Sequence, residues 1–397
     1  MKPFAKKLTA VTVLVFAALV GLSACVKSIR EEAPSDTSED TSAEEDIQTP
    51  DVDAEAPAFI TVTDHLDKQI TVPRDLERIV VCDIYPLPSV LSVFFDSAEK
   101  IVGMPKQSMT AAKNGLLGQL YPEILGAVTD YIDGTSVNIE SLMALEPDVV
   151  FYSSGTPQIG EQCEKVGIPA VAISAGKWEY DAVETLDHWI ETLSVMFPEN
   201  DKTDTVAAYS KDVYERVQQR IADIPDAEKQ RIFFLFQYSD SMIATSGRHF
   251  FGQYWADAVG AVNVGEELDT DKSTGIGMEQ IYVWNPDIIL ITNYNTAKPA
   301  DIIGNTVGSY DWSPIKAVTD GKVYKMPLGM YRSYTCGVDT PVTLLWIAKT
   351  VYPAYFEDID IIAETKAYYE SVFGITLTDE QAVSIFAPAA EAAAFNG

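Results

Sequence analysis

The sequence predicts an α/β protein with two Rossmann-like lobes joined by a single long helix. Three observations predict this fold class. Short apolar strands alternate with helical patterns in two separate halves of the chain, one motif occurs in both halves, and an amphipathic helical stretch lies between them. The chain has 397 residues, which is long enough for two sizeable cores.

The repeated motif suggests that the two halves are alike. NIESLMALEPDVVFYSS begins at Asn138, and GMEQIYVWNPDIILITN begins at Gly277. In each copy a Glu is followed seven residues later by a Pro-Asp pair and then by a β-branched apolar run. Each copy therefore predicts a helix start followed by a strand, at a matching place in its half.

The N-terminus has the pattern of a targeting segment. Lysines near the start precede an apolar run over 8–22, which is too short for a settled transmembrane helix. The run ends in Leu-Ser-Ala-Cys, which resembles a bacterial lipobox. We therefore expect a lipoprotein signal peptide over 1–24 and a lipid on Cys25 that holds the protein at a membrane face. A plain membrane anchor or an ordinary signal peptide is the alternative.

Residues 25–56 predict a disordered tether that follows the lipidated Cys25. From Glu31 to Ala56 the chain has eleven acidic residues and no Lys, Arg or aromatic residue. Such a segment cannot bury a core, and its like charges keep it extended.

The N-terminal lobe is predicted over 57–199. It begins with FITVTDHLDKQITV (59–72), whose alternating pattern around a polar turn predicts a hairpin. Later apolar runs suit strands that are buried on both faces of a parallel sheet. These runs are IVVCDI (79–84), IVGM (101–104), VVFYSS (149–154) and AVAIS (170–174).

A linking helix is predicted over 200–225, with apolar residues on one face and polar residues on the other. Asp201 or Thr203 is expected to cap its start, and Pro225 to end it. Its length of roughly 35 Å suits a strut between lobes. The C-terminal lobe is then predicted over 226–397. Its strands are RIFFLFQ (231–237), MIATS (242–246), IILITN (288–293) and VYKMP (323–327).

Composition and motifs exclude several functions. The net charge of −31 argues against a nucleic-acid-binding protein. The sequence has no GxSxG, no GxGxxG after a strand, no P-loop and no HExxH, so it does not favour an enzyme. Cys82, Cys163 and Cys336 lack zinc-site or redox spacing, although a disulfide among them stays possible. A secreted α/β enzyme and an adhesin or structural lipoprotein are the competing classes.

Several motifs, taken in order, resemble the solute-binding proteins of bacterial ABC importers for ferric siderophores, haem and cobalamin. The likeness covers about 60–390. The motifs are PRDLERIVV (73–81), KIVGMP (100–105), NIESLMALEPDVVF, GIPAVAI (167–173), TSGRHFFGQYWADAVGAVNVG (245–265), MEQIYVWNPDIILI, DGKVYKMP (320–327) and LLWIAKTVYPAYF (344–356).

The resemblance implies a ligand cleft between two lobes on a rigid helix, no catalytic residues and no cofactor. It also implies an extracytoplasmic monomer whose partners are the transmembrane permease subunits and their ATPase. In that family one glutamate on each lobe docks onto permease arginines, and the matching positions are Glu140 and Glu279. Alternatively, each Glu is simply favoured by the dipole of its helix.

Ligands of open α/β sheets bind beyond the carboxyl ends of the strands. In this sequence those positions are rich in aromatic and cationic residues. The candidate ligand-binding residues are Tyr85, Lys106, Thr156, Lys177, Trp178, Tyr238, Arg248, His249, Tyr294, Tyr331 and Arg332. Ferric siderophores and haem carry negative charge, so Arg332, Arg248 and Lys177 are the expected counter-charges. Alternatively, the aromatic residues cap the cores of the lobes.

The expected transported ligand is an iron chelate, haem or a corrinoid. Haem would need an axial ligand, for which His249 is the candidate, with Tyr331 or Tyr238 as substitutes. No direct site for bare zinc or manganese is expected, because such sites gather several His and carboxylate side chains. Cobalamin stays open because a neutral corrinoid needs aromatic contacts more than charges.

Overall fold

The computed structural model describes residues 58–394. The predicted signal peptide, the lipidated Cys25 and the tether lie outside the described residues. Within 58–394, no helix is both long enough and apolar enough to cross a membrane.

The N-terminal lobe has the predicted hairpin and a parallel sheet with helices around it. Its strands are β1 (Phe59–Thr63), β2 (Gln69–Pro73), β3 (Ile79–Val81), β4 (Ile101–Gly103), β5 (Ile132–Asp133), β6 (Ser136–Val137), β7 (Val149–Ser153) and β8 (Ala170–Ile173). Its helices are α1 (Leu87–Phe95), α2 (Lys106–Asn114), α3 (Leu116–Leu120), α4 (Ile139–Met143), α5 (Pro157–Lys165) and α6 (Ala182–Met196).

The linking helix is α7 (Thr203–Ile221), and the C-terminal lobe follows it. The strands of this lobe are β9 (Arg231–Leu235), β10 (Gln237–Tyr238), β11 (Ile243–Ser246), β12 (Val262–Asn263), β13 (Ser273–Gly275), β14 (Ile288–Ile291) and β15 (Val323–Lys325). Its helices are α8 (Phe251–Ala258), α9 (Met278–Trp284), α10 (Pro299–Ile303), α11 (Lys316–Thr319), α12 (Thr340–Val351), α13 (Ile361–Tyr368) and α14 (Asp379–Phe386).

The main sheets of the two lobes have the same strand order. The N-terminal sheet runs β4-β3-β7-β8 and the C-terminal sheet runs β12-β9-β14-β15, and the neighbours in both are parallel. Strands β3 and β9 therefore occupy equivalent places, as do β7 and β14. Continuous apolar runs form these strands because both faces of each sheet are covered.

One predicted strand belongs to a different sheet. The run MIATS forms β11, which pairs antiparallel with β10 and β13 in a small separate sheet. The fourth place in the C-terminal parallel sheet is taken by β12, which has only two residues. So short a strand has no apolar run long enough to be noticed in the sequence.

The repeated Pro-Asp pair has the same structural role in both lobes. The Asp148 carboxylate accepts hydrogen bonds from the backbone N–H groups of Glu77 and Arg78, each at 2.8 Å, immediately before β3. The Asp287 carboxylate accepts one from the N–H of Arg231 at 2.9 Å, at the start of β9. Each Asp thus fixes the first strand of its sheet against the strand that follows the motif.

The linking helix is shorter than predicted and packs along its length. It begins at Thr203, where the Asp201 carboxylate accepts the Thr203 N–H at 2.9 Å, and ends at Ile221. Its apolar face lies against α6, α8 and α12. Arg216 reaches the Glu364 carboxylate with two hydrogen bonds of 3.0 and 3.2 Å, which ties α7 to α13.

The C-terminal helices connect the lobes. Helix α12 packs on α7 and also on α6, and α14 packs on α3 of the N-terminal lobe. One continuous cluster of buried apolar side chains includes Val81 of β3, Val213 of α7 and Ile385 of α14. Packing of this kind couples both lobes to the linking helix.

Candidate functional site

A large cleft opens between the two lobes at the carboxyl ends of the N-terminal strands. Its volume is about 1370 Å³. The N-terminal wall comes from the segments after β7 and β8, and the opposite wall from residues 248–271, with Tyr214 of α7 contributing. Of the predicted ligand-binding residues, this cleft brings together Lys177, Trp178, Arg248 and His249.

The walls of this cleft are mainly acidic. The acidic residues that line it are Glu179, Asp181, Glu184, Asp257, Glu266 and Asp271. The Lys177 ammonium forms an ion pair with Asp67 at 2.7 Å. Arg248 donates from Nε to the carbonyl oxygen of Glu266 at 2.8 Å. Both cations are therefore engaged by oxygen atoms of the protein, and each would have to exchange this partner for a ligand in order to act as the counter-charge that the sequence predicts.

Trp178, the predicted aromatic residue of the N-terminal wall, packs against two histidines. The Trp178 ring stacks on His188 with centroids 4.2 Å apart and planes at 15°, and meets His65 edge-on at 4.9 Å. His65 is buried, and its ring nitrogens contact the Thr192 hydroxyl and the Ser174 N–H, each at 2.9 Å. Burial lowers the pKa of His65 to about 4, so this histidine is neutral at pH 7.

The lobes touch beside the cleft through aromatic rings. Tyr180 of the N-terminal lobe meets Phe250 and Phe251 of the C-terminal lobe edge-on, with centroids 5.1 and 4.9 Å apart. These contacts form one edge of the lobe interface.

Two tyrosine rings pack against a buried arginine at another point where the lobes meet, and a third tyrosine lies near one of these rings. We call Arg332, Tyr331, Tyr294 and Tyr85 the arginine–tyrosine centre. The guanidinium of Arg332 is 0% exposed and lies 5.4 Å from the Tyr294 ring centroid and 5.1 Å from that of Tyr331. Tyr85 of the N-terminal lobe lies near Tyr331, and burial, followed by the electrostatic influence of Tyr331, raises the pKa of Tyr85.

The hydrogen bonds of Arg332 cross between the lobes. Its guanidinium donates to the carbonyl oxygen of Gln107 in α2 at 3.2 Å and to the Tyr331 hydroxyl at 2.7 Å. A further bond of 2.8 Å goes to the carbonyl oxygen of Ala394. The guanidinium thus contacts an N-lobe helix, a neighbouring phenol and the C-terminal segment.

A second cation lies behind Arg332. Lys325, at the end of β15, donates to the carbonyl oxygens of Thr292 and Asn295 at 2.8 and 2.7 Å. These bonds hold the loop that carries Tyr294. Burial, and then the positive charge of Arg332, lower the pKa of Lys325 to about 7.

The loop that carries Tyr331 and Arg332 closes on a buried carboxylate. Asp339 accepts the N–H of Met330 at 2.8 Å and the hydroxyl of Tyr369. A side chain at Gly329 would collide with this carboxylate. Burial raises the pKa of Asp339 to about 6. The loop is therefore positioned before any ligand arrives.

Comparison with known proteins identifies the family. The family model described as periplasmic binding protein matches residues 98–328. The chain belongs to the periplasmic binding protein family. This finding confirms the predicted resemblance to solute-binding proteins of ABC importers, which are binding proteins and not enzymes, and which act outside the cytoplasm.

Two relatives of this binding protein share about a quarter of its residues. The molybdate-binding protein MolA of Haemophilus influenzae is 26% identical over 333 residues, which is 79% of this chain and 90% of that protein. The structure of MolA with bound molybdate matches this chain with a TM-score of 0.67. The match covers 80% of this chain and 99% of the MolA chain. The crystal structure of a periplasmic solute-binding protein of Veillonella parvula is 25% identical in sequence and has a TM-score of 0.73. This match covers 83% of this chain and 96% of the Veillonella chain.

A third neighbour supports the fold alone. Helicobacter pylori CeuE, solved with a Ni-His complex, is 21% identical with a TM-score of 0.64, covering 83% of this chain and 99% of that one. The predicted α/β fold class of this binding protein is confirmed by these likenesses.

Other predicted site residues of the binding protein lie in different surroundings. Tyr238 lies in the C-lobe core, where its hydroxyl accepts from the Trp312 indole at 2.9 Å and donates to the Val307 carbonyl at 3.1 Å. It is not among the residues that line the cleft. Thr156 is buried, and its hydroxyl donates to the Asp83 carboxylate at 2.6 Å. Lys106 is exposed at the start of α2, next to Gln107.

Candidate metal ligands have other partners. His249 is exposed and contacts the Asp269 carboxylate at 3.0 Å. Residues 58–394 contain no group of three or more His, Cys, Asp or Glu side chains that could hold a metal ion. Cys82, Cys163 and Cys336 are buried free thiols.

Sequence reasoning missed Gln107, Tyr180, Lys325 and Asp339. Lys325 carries a signal, because a lysine inside the apolar strand VYKMP is unusual for a buried strand. Asp339 precedes α12 and has the sequence pattern of an N-cap, but its side chain turns back to Met330 instead. Gln107 contributes a backbone carbonyl, which no side-chain pattern reveals.

Proposed function

We propose that the protein captures a small oxyanion of the molybdate class at the arginine–tyrosine centre and delivers it to the permease of an ABC importer. The observation that carries this proposal is the position of Arg332, fully buried among phenol rings where the two lobes meet. The relative MolA, which is named for binding molybdate, supports the same ligand class.

The chemistry of the centre suits an oxyanion. A guanidinium presents a planar set of N–H donors that matches two oxygen atoms of an anion, and phenol hydroxyls add further donors. Charge-assisted hydrogen bonds are stronger where water is excluded. Lys325 adds a second positive charge near Arg332 when it is protonated.

The small space at the centre requires side chains around Arg332 to move before the anion enters. The cavity beside Tyr331 and Arg332 has a volume of only about 10 Å³, roughly that of one water. An oxyanion would therefore replace some of the contacts of Arg332, such as its bond to Gln107 across the lobe interface. The anion would then take the place of the protein's own polar groups at the Arg332 guanidinium.

A bulkier ligand is the second candidate, and the volume of the open cleft favours it. About 1370 Å³ exceeds the range of roughly 300–1,000 Å³ that is usual for small-molecule pockets. Haem, an iron chelate or a corrinoid would fill such a space. The acidic walls disfavour a strongly anionic chelate there, so a ligand of this kind should carry little net negative charge.

The partners and the location follow from the family and from the sequence. We propose that the permease subunits contact Glu140 and Glu279, which are exposed on the helices α4 and α9. We also propose that a lipid on Cys25 holds a monomeric receptor at the outer face of the cell membrane. Mass spectrometry of the native protein would show a diacylglycerol adduct on Cys25, and an unmodified or uncleaved N-terminus would contradict the anchor.

Calorimetric titration tests the ligand. We expect heat on addition of sodium molybdate or tungstate to the purified protein. Arg332→Ala should weaken this binding at least about 30-fold, equivalent to about 2 kcal/mol, because a buried charged donor is lost. Arg332→Lys keeps the charge without the planar fork and should bind with intermediate affinity.

The matched control is Arg248→Ala, which removes an arginine of the open cleft and should change oxyanion affinity less than about threefold. Thermal unfolding of each variant shows whether it is folded. If wild-type protein binds neither oxyanion but takes up haem or a corrinoid with a changed absorption spectrum, the second candidate replaces the first.

A further inference from the structure

We infer that the permease contact includes an apolar residue pair on each lobe, one helical turn after each exposed glutamate. The inference rests on the proposed function, since the partner is the permease proposed above. We define the N-lobe contact face as Glu140, Met143 and Ala144, and the C-lobe contact face as Glu279, Tyr282 and Val283.

The two faces occupy equivalent positions in the repeated motif. In both copies the residues three and four positions after the glutamate are exposed and apolar or aromatic. Residues three or four apart lie on one side of a helix, so these side chains stand beside the carboxylate. Equivalent strands follow, since α4 leads into β7 and α9 leads into β14.

The exposed apolar side chains are large enough to need an explanation. Met143 is 46% exposed, Tyr282 is 41% exposed and Val283 is 76% exposed. Val283 is the most exposed of the large hydrophobic side chains within 58–394. An exposed apolar side chain next to a charge in two equivalent places is typical of an interaction surface and not of scattered surface residues.

Neither glutamate is neutralised by the protein itself. Within residues 58–394, neither Glu140 nor Glu279 takes part in an ion pair. Each face therefore presents a free carboxylate beside an apolar side chain. The complementary surface has a cation next to an apolar recess, and it occurs twice because the lobes repeat.

Both faces are held rigidly on the sheets. Arg78, next to β3, donates to the carbonyl oxygens of Leu145 and Glu146 at the end of the N-lobe motif helix. In the C-terminal lobe, Arg231 donates to the Trp284 carbonyl at 2.7 Å. The Tyr282 hydroxyl donates to the Asp311 carbonyl at 2.8 Å, which fixes that ring. Rigid faces lose little conformational entropy on binding.

The apolar contact and the charge contact should respond differently to salt. The Debye length falls to about 3 Å at 1 M salt, so pairs between exposed charges are then largely screened. Burial of apolar side chains is not weakened by salt in this way. Binding that persists at about 1 M salt should therefore depend on Met143 and Val283.

The test measures binding of the full chain to its permease and ATPase complex in lipid nanodiscs by surface plasmon resonance, with all variants in a Cys25→Ser background that cannot carry the proposed lipid. The double variant Met143→Ser with Val283→Ser should bind at least about tenfold more weakly at low salt and lose binding at about 1 M salt. The matched control is Val195→Ser with Val383→Ser. These residues are 48% and 50% exposed, on α6 and α14, and their loss should change binding less than about twofold.

Each outcome decides the inference. If Met143→Ser with Val283→Ser binds like wild type while charge reversal at Glu140 and Glu279 abolishes binding, the apolar contact is refuted and the proposed function stands. If wild type does not bind the importer at all, the proposed function fails as well. Equal binding of the parent Cys25→Ser protein to empty nanodiscs would assign these side chains to lipid and overturn the inference.

Discussion

Two residues with the same backbone conformation but different side chains precede the Pro-Asp pairs. Glu146 and Asn285 both have left-handed backbones, with φ of 47° and 42°. Asparagine tolerates this region far better than glutamate. We therefore expect Glu146→Asn to raise the free energy of unfolding by about 0.5–1 kcal/mol.

Urea unfolding measures this change as a shift of the midpoint, provided that the dependence of the unfolding free energy on urea concentration stays the same. The reverse change at the second copy, Asn285→Glu, should destabilise the protein by more than the first change stabilises it. It would also remove the Asn285 side-chain oxygen that accepts the Lys316 N–H at 2.8 Å. A lower midpoint for Glu146→Asn would contradict the assignment of strain to this residue.

Lys325 predicts how anion binding depends on pH. Its pKa of about 7 means that it is charged below pH 7 and neutral above. A charged ammonium near Arg332 attracts an anion, so oxyanion affinity should be greatest below pH 7. It should fall by roughly tenfold as the pH rises from about 6 to about 8.5.

Titrations across this range measure the effect. Lys325→Arg should bind the oxyanion with high affinity at every pH in this range, because arginine stays charged throughout it. If wild type and Lys325→Arg show the same pH profile, Lys325 does not act on the anion.

The candidate site could be predicted from the sequence only in part, and the arginines show why. Arg248 and Arg332 both follow strands of the C-terminal lobe, and the sequence treats them alike. In the structure Arg248 lies in the open cleft, whereas Arg332 is buried against Gln107, which is 225 residues away in the chain. Such contacts depend on how the lobes meet, and no local pattern encodes that.

Among the elements, the strands were the most predictable. Runs such as VVFYSS and IILITN became β7 and β14 because β-branched and apolar residues suit strands that are covered on both faces. The pairing of the strands with one another was less predictable. The run MIATS formed a strand as predicted, but in an antiparallel sheet whose other members, β10 and β13, have two and three residues.

The Pro-Asp pair provides a test of how the motif helix and the first strand are joined. Asp148→Ala would leave the Glu77 and Arg78 N–H groups without their acceptor. These groups are partly open to water, so we expect a loss of about 1–2 kcal/mol in the free energy of unfolding. Chemical denaturation measures it, with Asp133→Ala, an exposed aspartate of β5, as the control that should change little. Equal effects of the two changes would remove the structural role assigned to Asp148.

For the molecule as a whole, the repeat explains why one motif occurs twice. The same strand order in both sheets places the motif copies at equivalent positions, and each copy fixes its first strand through an aspartate. The sequence predicted this likeness because the motif is long and its offsets match. It did not predict that α12 and α14 pack back on the linking helix and on α3, because amphipathic helices do not specify which surface covers them.

That packing predicts small lobe motion on ligand binding. Helix α7 is continuous from Thr203 to Ile221, and Arg216 and Arg220 tie it by ion pairs to Glu364 and Asp358. A hinge would have to break the helix or these contacts. We therefore expect the distance between spin labels on the two lobes to change by less than about 2 Å when the ligand is added.

Suitable label positions are Lys165 on α5 and Ile303 on α10, both exposed, in a Cys25→Ser background. The other three cysteines are buried thiols, so they should not compete for the label. As a control, Arg216→Ala with Arg220→Ala should widen the distance distribution, because the ion pairs of α7 with Glu364 and Asp358 are removed. If the spin-label distance changes by several times more than expected when Arg216 and Arg220 are intact, the lobes close by a hinge. The separation of Glu140 and Glu279 would then depend strongly on ligand occupancy.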